Sequence, residues 1–197
     1  IIIPDILRYS KIVGICNAWN ALSVRFGFDV FINVFLHEML NTMTSIQGGY
    51  SGFDTFEIEQ PDFRCSTINS PLEMFINSIG HLFGVFCNYD QNRIKITINF
   101  LINIIDNEGE FFNNSDISYA FAQFTVILIN DANEDLWKEI FIIIIDKCKS
   151  IIKSHIESSS KDKIVMLALS LIRIALIIPK FRKIMINDED LYHILYF

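Results

Sequence analysis

Apolar residues recur at three- and four-residue spacing along most of the chain, which is the period of an amphipathic helix. The clearest helix start is Ser70-Pro71-Leu72-Glu73, where a serine N-cap, a proline at the first helical position and a glutamate form a capping box. The apolar stripe that follows comprises Leu72, Phe75, Ile76, Ile79, Leu82, Phe83 and Phe86. The pattern therefore predicts a helix over 71–88 with one buried and one exposed side.

The same period and the same end signals predict further helices elsewhere in the chain. These lie near 5–25, 29–46, 92–106, 116–130, 134–157, 162–178 and 180–196. No strand-like alternation of apolar and polar residues persists. The long irregular stretch at 47–69 contains two adjacent glycines and Pro61, and is predicted to be an insertion. The chain is therefore predicted to be a single all-α domain over 1–197.

Two strongly apolar segments require a choice between structures. The run Ile142-Ile143-Ile144-Ile145 has the composition of a strand, but its flanking residues favour a helix buried on several sides. The apolar stretch 164–179 contains Arg173 and is shorter than the roughly 20 uncharged residues of a membrane span. It is therefore predicted to be a buried central helix, and no membrane partner is expected.

Four predicted helices end in a similar phrase, which is followed by a polar corner and a new amphipathic helix. The four phrases lie at 20–29, 86–93, 128–135 and 174–182. The separation of Arg93 and Arg182 equals two steps of about 44 residues. This period is in the range of armadillo and HEAT repeats, and it predicts a chain of stacked helical repeats.

The segment 171–175, followed by 181–185, resembles the armadillo family, in which a long third helix ends in an Asn-Leu-Ala-like phrase. In that family a short first helix and a second helix come next. The resemblance covers nearly the whole chain and implies a right-handed helical solenoid of about three to four repeats. Its third helices would be 5–25, 71–88, 116–130 and 162–178.

A narrower resemblance rests on the order of three stretches, 20–29, 75–86 and 165–175. Their order is similar to the C-terminal armadillo, or core-binding, region of the ARID-containing subunit of SWI/SNF-type chromatin remodellers. That family also tolerates a long insertion where this chain has 47–69. The resemblance implies a nuclear protein in transcription regulation that organises neighbouring core subunits, with ATP hydrolysis carried out by its partners.

Composition and charge narrow the range of partners. Hydrophobic residues make up 51% of the chain, with 18 phenylalanines, so much apolar surface must be buried within the chain or in a larger assembly. The 16 basic and 23 acidic residues give a net charge of −7, which disfavours direct nucleic-acid binding. Because it begins at Ile1 without Met, the chain is expected to be part of a longer polypeptide.

Residue patterns that carry chemistry are absent from the sequence. There is no GxGxxG, Walker A, GxSxG or HExxH motif, and His37-Glu38 lacks a second histidine four residues on. His81 and Cys87 are six residues apart, a spacing that places them on different faces of one helix. The acidic cluster Asp188-Glu189-Asp190 follows Asn187 at a predicted helix start, where capping explains it. No catalytic residue, metal, cofactor or small-molecule substrate is therefore expected.

The cysteines show no CxxC spacing and mostly lie within apolar helical segments. They are Cys16, Cys65, Cys87 and Cys148. This pattern is typical of reduced packing residues of an intracellular protein.

The armadillo resemblance implies that the third helices line a concave surface, so their polar residues are candidates for partner binding. The candidates are Asn17, Asn20, Asn77, His81, Ser170 and Arg173, with Ser118 and Thr125 on the same stripes. A merely solvated face is the alternative explanation. Importin-like peptide binders repeat a Trp and an Asn at these places, and unlike residues here argue against that mode of binding.

Arg173 interrupts an otherwise apolar helix, so its guanidinium must reach solvent, a carboxylate on a neighbouring repeat or a partner. Taken together, the sequence predicts a non-catalytic protein-interaction scaffold of a multi-subunit nuclear complex. An armadillo-type adaptor or effector of a small GTPase in cytoplasmic trafficking or signalling is the alternative. A third hypothesis is an enzyme whose site lies in sequence not seen here.

Overall fold

A computed structural model describes residues 2–50, 71–87, 90–107, 109–158 and 164–196. Within these ranges the regular structure is helical and contains no strand, which confirms the all-α prediction. The helices are α1 (Ile2–Phe26), α2 (Phe28–Tyr50), α3 (Pro71–Cys87), α4 (Gln91–Asn107), α5 (Ser115–Asn130), α6 (Glu134–Ser158), α7 (Ile164–Ile177), α8 (Pro179–Met185) and α9 (Glu189–Tyr196). A short 3-10 helix, Gly109–Asn113, precedes α5.

Local sequence signals place several of these helix ends. Helix α3 begins at Pro71, where the capping box predicted it. Gly27 adopts a φ of 85°, a left-handed conformation that glycine takes at no steric cost, and so allows α2 to follow α1 after a single residue. Asn114 caps α5, since its Oδ1 accepts a hydrogen bond from the Asp116 N–H at 2.8 Å.

The segment predicted as one helix over 180–196 is two helices, because Asp188 starts a new one. Its Oδ1 accepts a hydrogen bond from the Leu191 N–H at 3.0 Å, which is the geometry of an N-cap. Capping therefore does explain the acidic cluster, although the cap is Asp188. The neighbouring Asn187 donates from Nδ2 to the Lys183 carbonyl instead, at 3.1 Å.

The insertion predicted at 47–69 starts later than expected. Residues 47–50 are the last turn of α2, and 51–69 lie outside the described residues. That turn is held from its side: Gln47 Nε2 donates a hydrogen bond to Asp116 Oδ2 of α5 at 2.9 Å. The helix thus continues through two adjacent glycines, each of which lowers helix stability by about 1 kcal/mol relative to alanine.

Helices α1 to α7 divide into an odd-numbered and an even-numbered set, and α9 joins the even-numbered set through α6. Helix α1 contacts α3, α3 contacts α5, and α5 contacts α7. In the other set α2 contacts α4, α4 contacts α6, and α6 contacts α9. The side-by-side order predicted for 71–88, 116–130 and 162–178 is therefore confirmed.

The junctions between long helices differ from the three-helix repeat that the armadillo resemblance implies. At the fully described junctions α1/α2 and α5/α6 a long helix follows directly, without a short first helix. A short helix does occur after α7, where Pro179 begins the seven-residue α8. The described part of the chain thus consists mainly of helix pairs.

Aromatic side chains fill the core between the first three helices. Trp19 of α1 packs at 5.2 Å from Phe35 and 5.6 Å from Phe86, measured between ring centroids. Phe35 and Phe83 stack at 4.6 Å, and Phe83 reaches Phe124 of α5 at 6.0 Å. The many phenylalanines noted in the sequence therefore join helices distant in the chain.

Helix α7 is central in its contacts, as the sequence predicts, but only one of its sides is buried, since Met166, Leu169, Arg173, Leu176 and Ile177 are exposed. It packs against α5, α6 and α8, and its buried residues are Leu167, Ala168, Leu171, Ile172, Ile174 and Ala175. In the described part of the chain no single helix has the length and apolar character needed to cross a membrane; α7 and α8 reach it jointly, but with a bend of 114° between them.

The run of four isoleucines is helical, as predicted, but it is not buried on several sides. Ile144 and Ile145 are buried, whereas Ile142 and Ile143 are nearly half exposed. One side of α6 faces the core and the other faces solvent, so the four residues divide between the two.

Candidate protein-interaction face

One stripe of exposed and partly exposed side chains on each of α3, α5 and α7 contributes to a surface that we call the odd-helix face. On α3 it comprises Met74, Asn77, Ser78, His81 and Val85; on α5 Asp116, Tyr119, Gln123, Ile127 and Asn130; and on α7 Met166, Leu169, Ser170, Arg173, Leu176 and Ile177. Apart from His81, the charged groups in this set are Asp116 and Arg173. The face therefore presents mainly aliphatic and amide groups.

The even-numbered helices carry a different surface, crossed by ion pairs. Lys95 of α4 lies 3.4 Å from Glu139 of α6, and Lys147 of α6 pairs with Asp106 of α4. Lys149 of α6 lies 2.9 Å from Asp188, at the start of α9. Described ion pairs between lysines and carboxylates are thus found on this side of the molecule.

Two polar contacts join α3 to α5 along the odd-helix face. Gln123 Nε2 donates a hydrogen bond to Asn77 Oδ1 at 2.8 Å, and the buried Oε1 of Gln123 has no hydrogen-bond partner among the described residues. His81 Nδ1 lies 3.4 Å from Asp131 Oδ2. The close approach of these helices depends on Gly84, where an added Cβ would lie 2.8 Å from that same carboxylate oxygen.

A groove of about 550 Å³ separates α1 from α3 next to these contacts. It is lined by Lys11, Ile12, Ile15, Asn77, Ser78, His81, Leu82 and Val85. Of the predicted partner-binding residues, the structure brings Asn77 and His81 together here. Asn17 is exposed on α1 but does not line the groove, and Asn20 has a structural role.

Asn20 is part of a contact that sequence reasoning did not anticipate. Arg93 of α4 donates from Nη2 to Asn20 Oδ1 at 2.8 Å, and its guanidinium lies over the rings of Phe86 and Phe28. We call this the Arg93 clamp. It ties the ends of α1 and α3 to the start of α4, and so Asn20 is already occupied by an intramolecular partner.

A similar clamp lies further along the chain. Lys180 of α8 donates from Nζ to the Asn130 carbonyl at the end of α5, 2.8 Å away, and sits over the rings of Trp137 and Phe181. In both clamps a cation in the first turn of a helix reaches the C-terminal end of an odd-numbered helix. The repeated phrases in the sequence contained both cations, but their targets are too distant in sequence to be read from it.

Ser118 and Thr125, predicted on the exposed polar stripes, are fully buried. Ser118 Oγ donates to the Phe112 carbonyl at 3.1 Å, and Thr125 Oγ1 donates to the Phe121 carbonyl at 2.9 Å. A hydroxyl can be buried at little cost when a nearby carbonyl accepts its hydrogen bond. These two residues therefore cannot contact a partner on the surface.

Ser170 and Arg173 lie at the surface of α7, as the sequence predicted. Ser170 is partly exposed and Arg173 is exposed. The guanidinium of Arg173 makes no ion pair with another residue in the part of the chain that the structure describes. The exposure of Arg173 is therefore compatible with contact with solvent or with a partner, and no carboxylate of the described residues pairs with it.

The described cysteines are free and buried, as the sequence predicted for Cys16, Cys87 and Cys148; Cys65 lies outside the described residues. Burial raises the pKa of Cys87 and of Cys148 to about 12, which leaves both thiols protonated at neutral pH. His81 is exposed whereas Cys87 is buried, so the two occupy different surroundings. Within the described ranges no group of three or more His, Cys, Asp or Glu residues is arranged to hold a metal ion.

Comparisons of the chain with protein-family models, with curated proteins and with solved structures give no match. The family resemblance drawn from the sequence accordingly stays a prediction.

Proposed function

We propose that this chain is a non-catalytic protein-interaction scaffold that binds partner proteins through its odd-helix face. The observation that supports the proposal is the difference in charge between the two sides of the molecule, since aliphatic side chains are exposed on both, for example Val34 of α2 and Ile142 of α6. In a chain with a net charge of −7, the odd-helix face exposes methionine, leucine, valine and amide side chains with little charge. Interface centres are depleted of charged residues and more apolar than the rest of the surface, and methionine is enriched there.

In its most specific form, the proposal is that the chain is the armadillo region of a subunit of a nuclear chromatin-remodelling complex. The order of the three phrases at 20–29, 75–86 and 165–175 and the consecutive packing of the odd-numbered helices support it. Such a region would organise neighbouring core subunits, while partner subunits would carry out ATP hydrolysis. An adaptor or effector of a small GTPase is the alternative within the same class of protein.

Affinity purification of the tagged full-length protein tests the proposal. Partners retained in high salt are identified by mass spectrometry, and a stable remodeller core is the expected result. Capture of a small GTPase that depends on its bound nucleotide would instead select the alternative.

Two matched variants test the face itself. Met166→Asp places a charge on the odd-helix face and Ile142→Asp places one on α6, at side chains that are 48% and 43% exposed. Met166→Asp is expected to release the retained partners at least tenfold more readily, whereas Ile142→Asp retains them. If both variants release the partners equally, or if neither variant releases them, binding through this face is contradicted.

A further inference from the structure

The groove between α1 and α3 has walls suited to aliphatic side chains. Ile12 and Ile15 line it from α1, and Leu82 and Val85 line it from α3. Ile15 and Val85 remain 41% and 45% exposed, so apolar surface is left uncovered along its length. Covering such surface is favourable by about 25 cal/mol per Å² of apolar area.

The charge of the groove is opposite to that of the chain. Its lining includes Lys11 and contains no carboxylate, although the chain has 23 acidic and 16 basic residues. Asp131, the residue that follows α5, places a carboxylate oxygen 3.4 Å from Nδ1 of the lining residue His81. Lys11 is exposed and makes no ion pair within the described residues. An occupant with a carboxylate beside Lys11 would therefore be attracted.

We propose that this groove binds an amphipathic helix of a partner protein. Aliphatic side chains spaced at i, i+3 or i+4, and i+7 would lie between α1 and α3, and an Asp or Glu at the edge of that stripe would pair with Lys11. This inference rests on the proposed function and specifies one binding site on this chain together with the kind of partner segment that it binds. Asn77 and Ser78 at the side of the groove offer hydrogen bonds to polar groups flanking the stripe.

A fatty acid has the same combination of a carboxylate and an apolar chain, but the groove is too open for it. Small-molecule sites bury about 70–90% of their ligand. Here the side chains of both walls stay partly exposed, so a single alkyl chain would keep much of its surface in water. A helix brings its own hydrogen-bonded backbone and needs only one side covered.

The test selects helical peptides of about 18 residues, five turns, from a display library against the full-length protein. Selected peptides are expected to carry the aliphatic spacing together with an acidic residue. Their dissociation constants are then measured by fluorescence anisotropy with four variants of the protein. Lys11→Glu and Val85→Asp alter the groove, while Lys138→Glu and Val34→Asp make the same changes at exposed sites on α6 and α2.

The groove variants are expected to weaken binding at least tenfold, and the control variants less than twofold. Exchanging the acidic residue of the peptide for lysine should restore affinity to the Lys11→Glu protein, because the charge pair is then reversed. Circular dichroism and thermal melting confirm that every variant is folded.

Three outcomes would overturn the inference: selected peptides that ignore both groove variants, failure of the charge reversal, or displacement of the peptide by dodecanoate at a comparable concentration. None of these outcomes would contradict the proposed scaffold function. If Met166→Asp still releases partner proteins while the groove variants retain them, the scaffold function stands and the groove is not its helix-binding site.

Discussion

Leu171 shows most directly how a single side chain supports the fold. It is 2% exposed in α7, and replacement by Ala should lower the free energy of unfolding by about 2–5 kcal/mol, since a cavity would remain among α5, α6 and α7. Urea denaturation followed by circular dichroism measures the change. Leu169→Ala on the same helix, at a residue 38% exposed, is the control and should cost less than about 1 kcal/mol. A loss for Leu171→Ala as small as that expected for Leu169→Ala would contradict close packing around Leu171.

The two arginines Arg93 and Arg173 are expected to respond differently to the same substitution. Arg93→Met breaks the hydrogen bond to Asn20 and the contacts with two rings, and should cost about 1–3 kcal/mol of stability. Arg173→Met removes an exposed cation without an ion pair in the described chain, and should leave the melting temperature unchanged. If partner binding falls with Arg173→Met while the melting temperature holds, Arg173 belongs to the interaction face; unfolding of this variant would make it structural.

Individual residues differ in how far sequence alone could place them. The inward positions of Leu171 and Ala175 follow from the helical period, and the structure buries both. The predicted exposure of Ser118 and Thr125 is wrong, because a polar side chain can be buried when an acceptor lies close by. A carbonyl one turn back, or in the preceding 3-10 helix, satisfies each hydroxyl, and no pattern of residue types reveals that acceptor.

At the scale of the helices, the start of α9 depends on Asp188. Partial burial by itself raises the pKa of this carboxyl, but hydrogen bonds from Lys149 and from the Leu191 N–H outweigh it and hold the pKa below its ordinary value. Asp188→Ala should therefore cost about 0.5–2 kcal/mol at pH 7. Asp190→Ala, at an exposed residue two positions further along the chain, is the control and should cost less.

The contribution of Asp188 should also depend on pH. A carboxyl whose folded-state pKa is depressed stabilises the fold above its unfolded-state pKa of about 3.9, and this stability is lost as pH falls through the lower folded-state value. Urea midpoints of the native protein and Asp188→Ala should differ at pH 7 and converge in acid. A difference that persists unchanged below about pH 2 would show that the carboxylate charge is not involved.

Helix ends were predictable where a capping signal stands alone and less so where signals compete. The capping box before Pro71 placed α3 correctly. Over 180–196 the apolar spacing continues through Ile186 and Leu191, which predicts one helix. Asp188 is a preferred N-cap residue, which predicts that a second helix begins there. In the structure the Asp188 carboxylate accepts a hydrogen bond from the Leu191 N–H. A continuous helix would not need this acceptor, so a new helix begins here.

For the whole molecule, the extensive helix contacts within the described residues join helices no more than three places apart in chain order. Stability should therefore vary along the chain. Among the described side chains of α1, Cys16 and Ser23 are buried, whereas α5 is buried along most of its length. Hydrogen exchange measured by mass spectrometry should be faster in α1 than in α5 and α7. Equal protection throughout would mean that the chain opens as one cooperative unit.

The sequence predicted the order in which the odd-numbered helices pack, because each has an apolar stripe on a common period. It did not predict the groove beside α1, whose shape depends on how closely Lys11 and Ile15 approach α3. Nor did it predict the two clamps, because the spacing of residues does not show which oxygen on another helix a cation contacts. Junction geometry also differed, as α1/α2 and α5/α6 lack the short first helix of the family that the sequence resembles.

The separation of charge between the two sides of the molecule gives them opposite responses to ionic strength. Screening shortens the Debye length from about 10 Å at 0.1 M salt to about 3 Å at 1 M, and so weakens exposed pairs such as Lys95 with Glu139. Apolar contacts are not screened, and salts such as sulfate strengthen them. A partner held on the odd-helix face should therefore dissociate no faster in concentrated salt, while the even-numbered helices lose part of the attraction that links them. Concentrated salt should therefore weaken the contacts among the even-numbered helices while a partner remains bound to the odd-helix face.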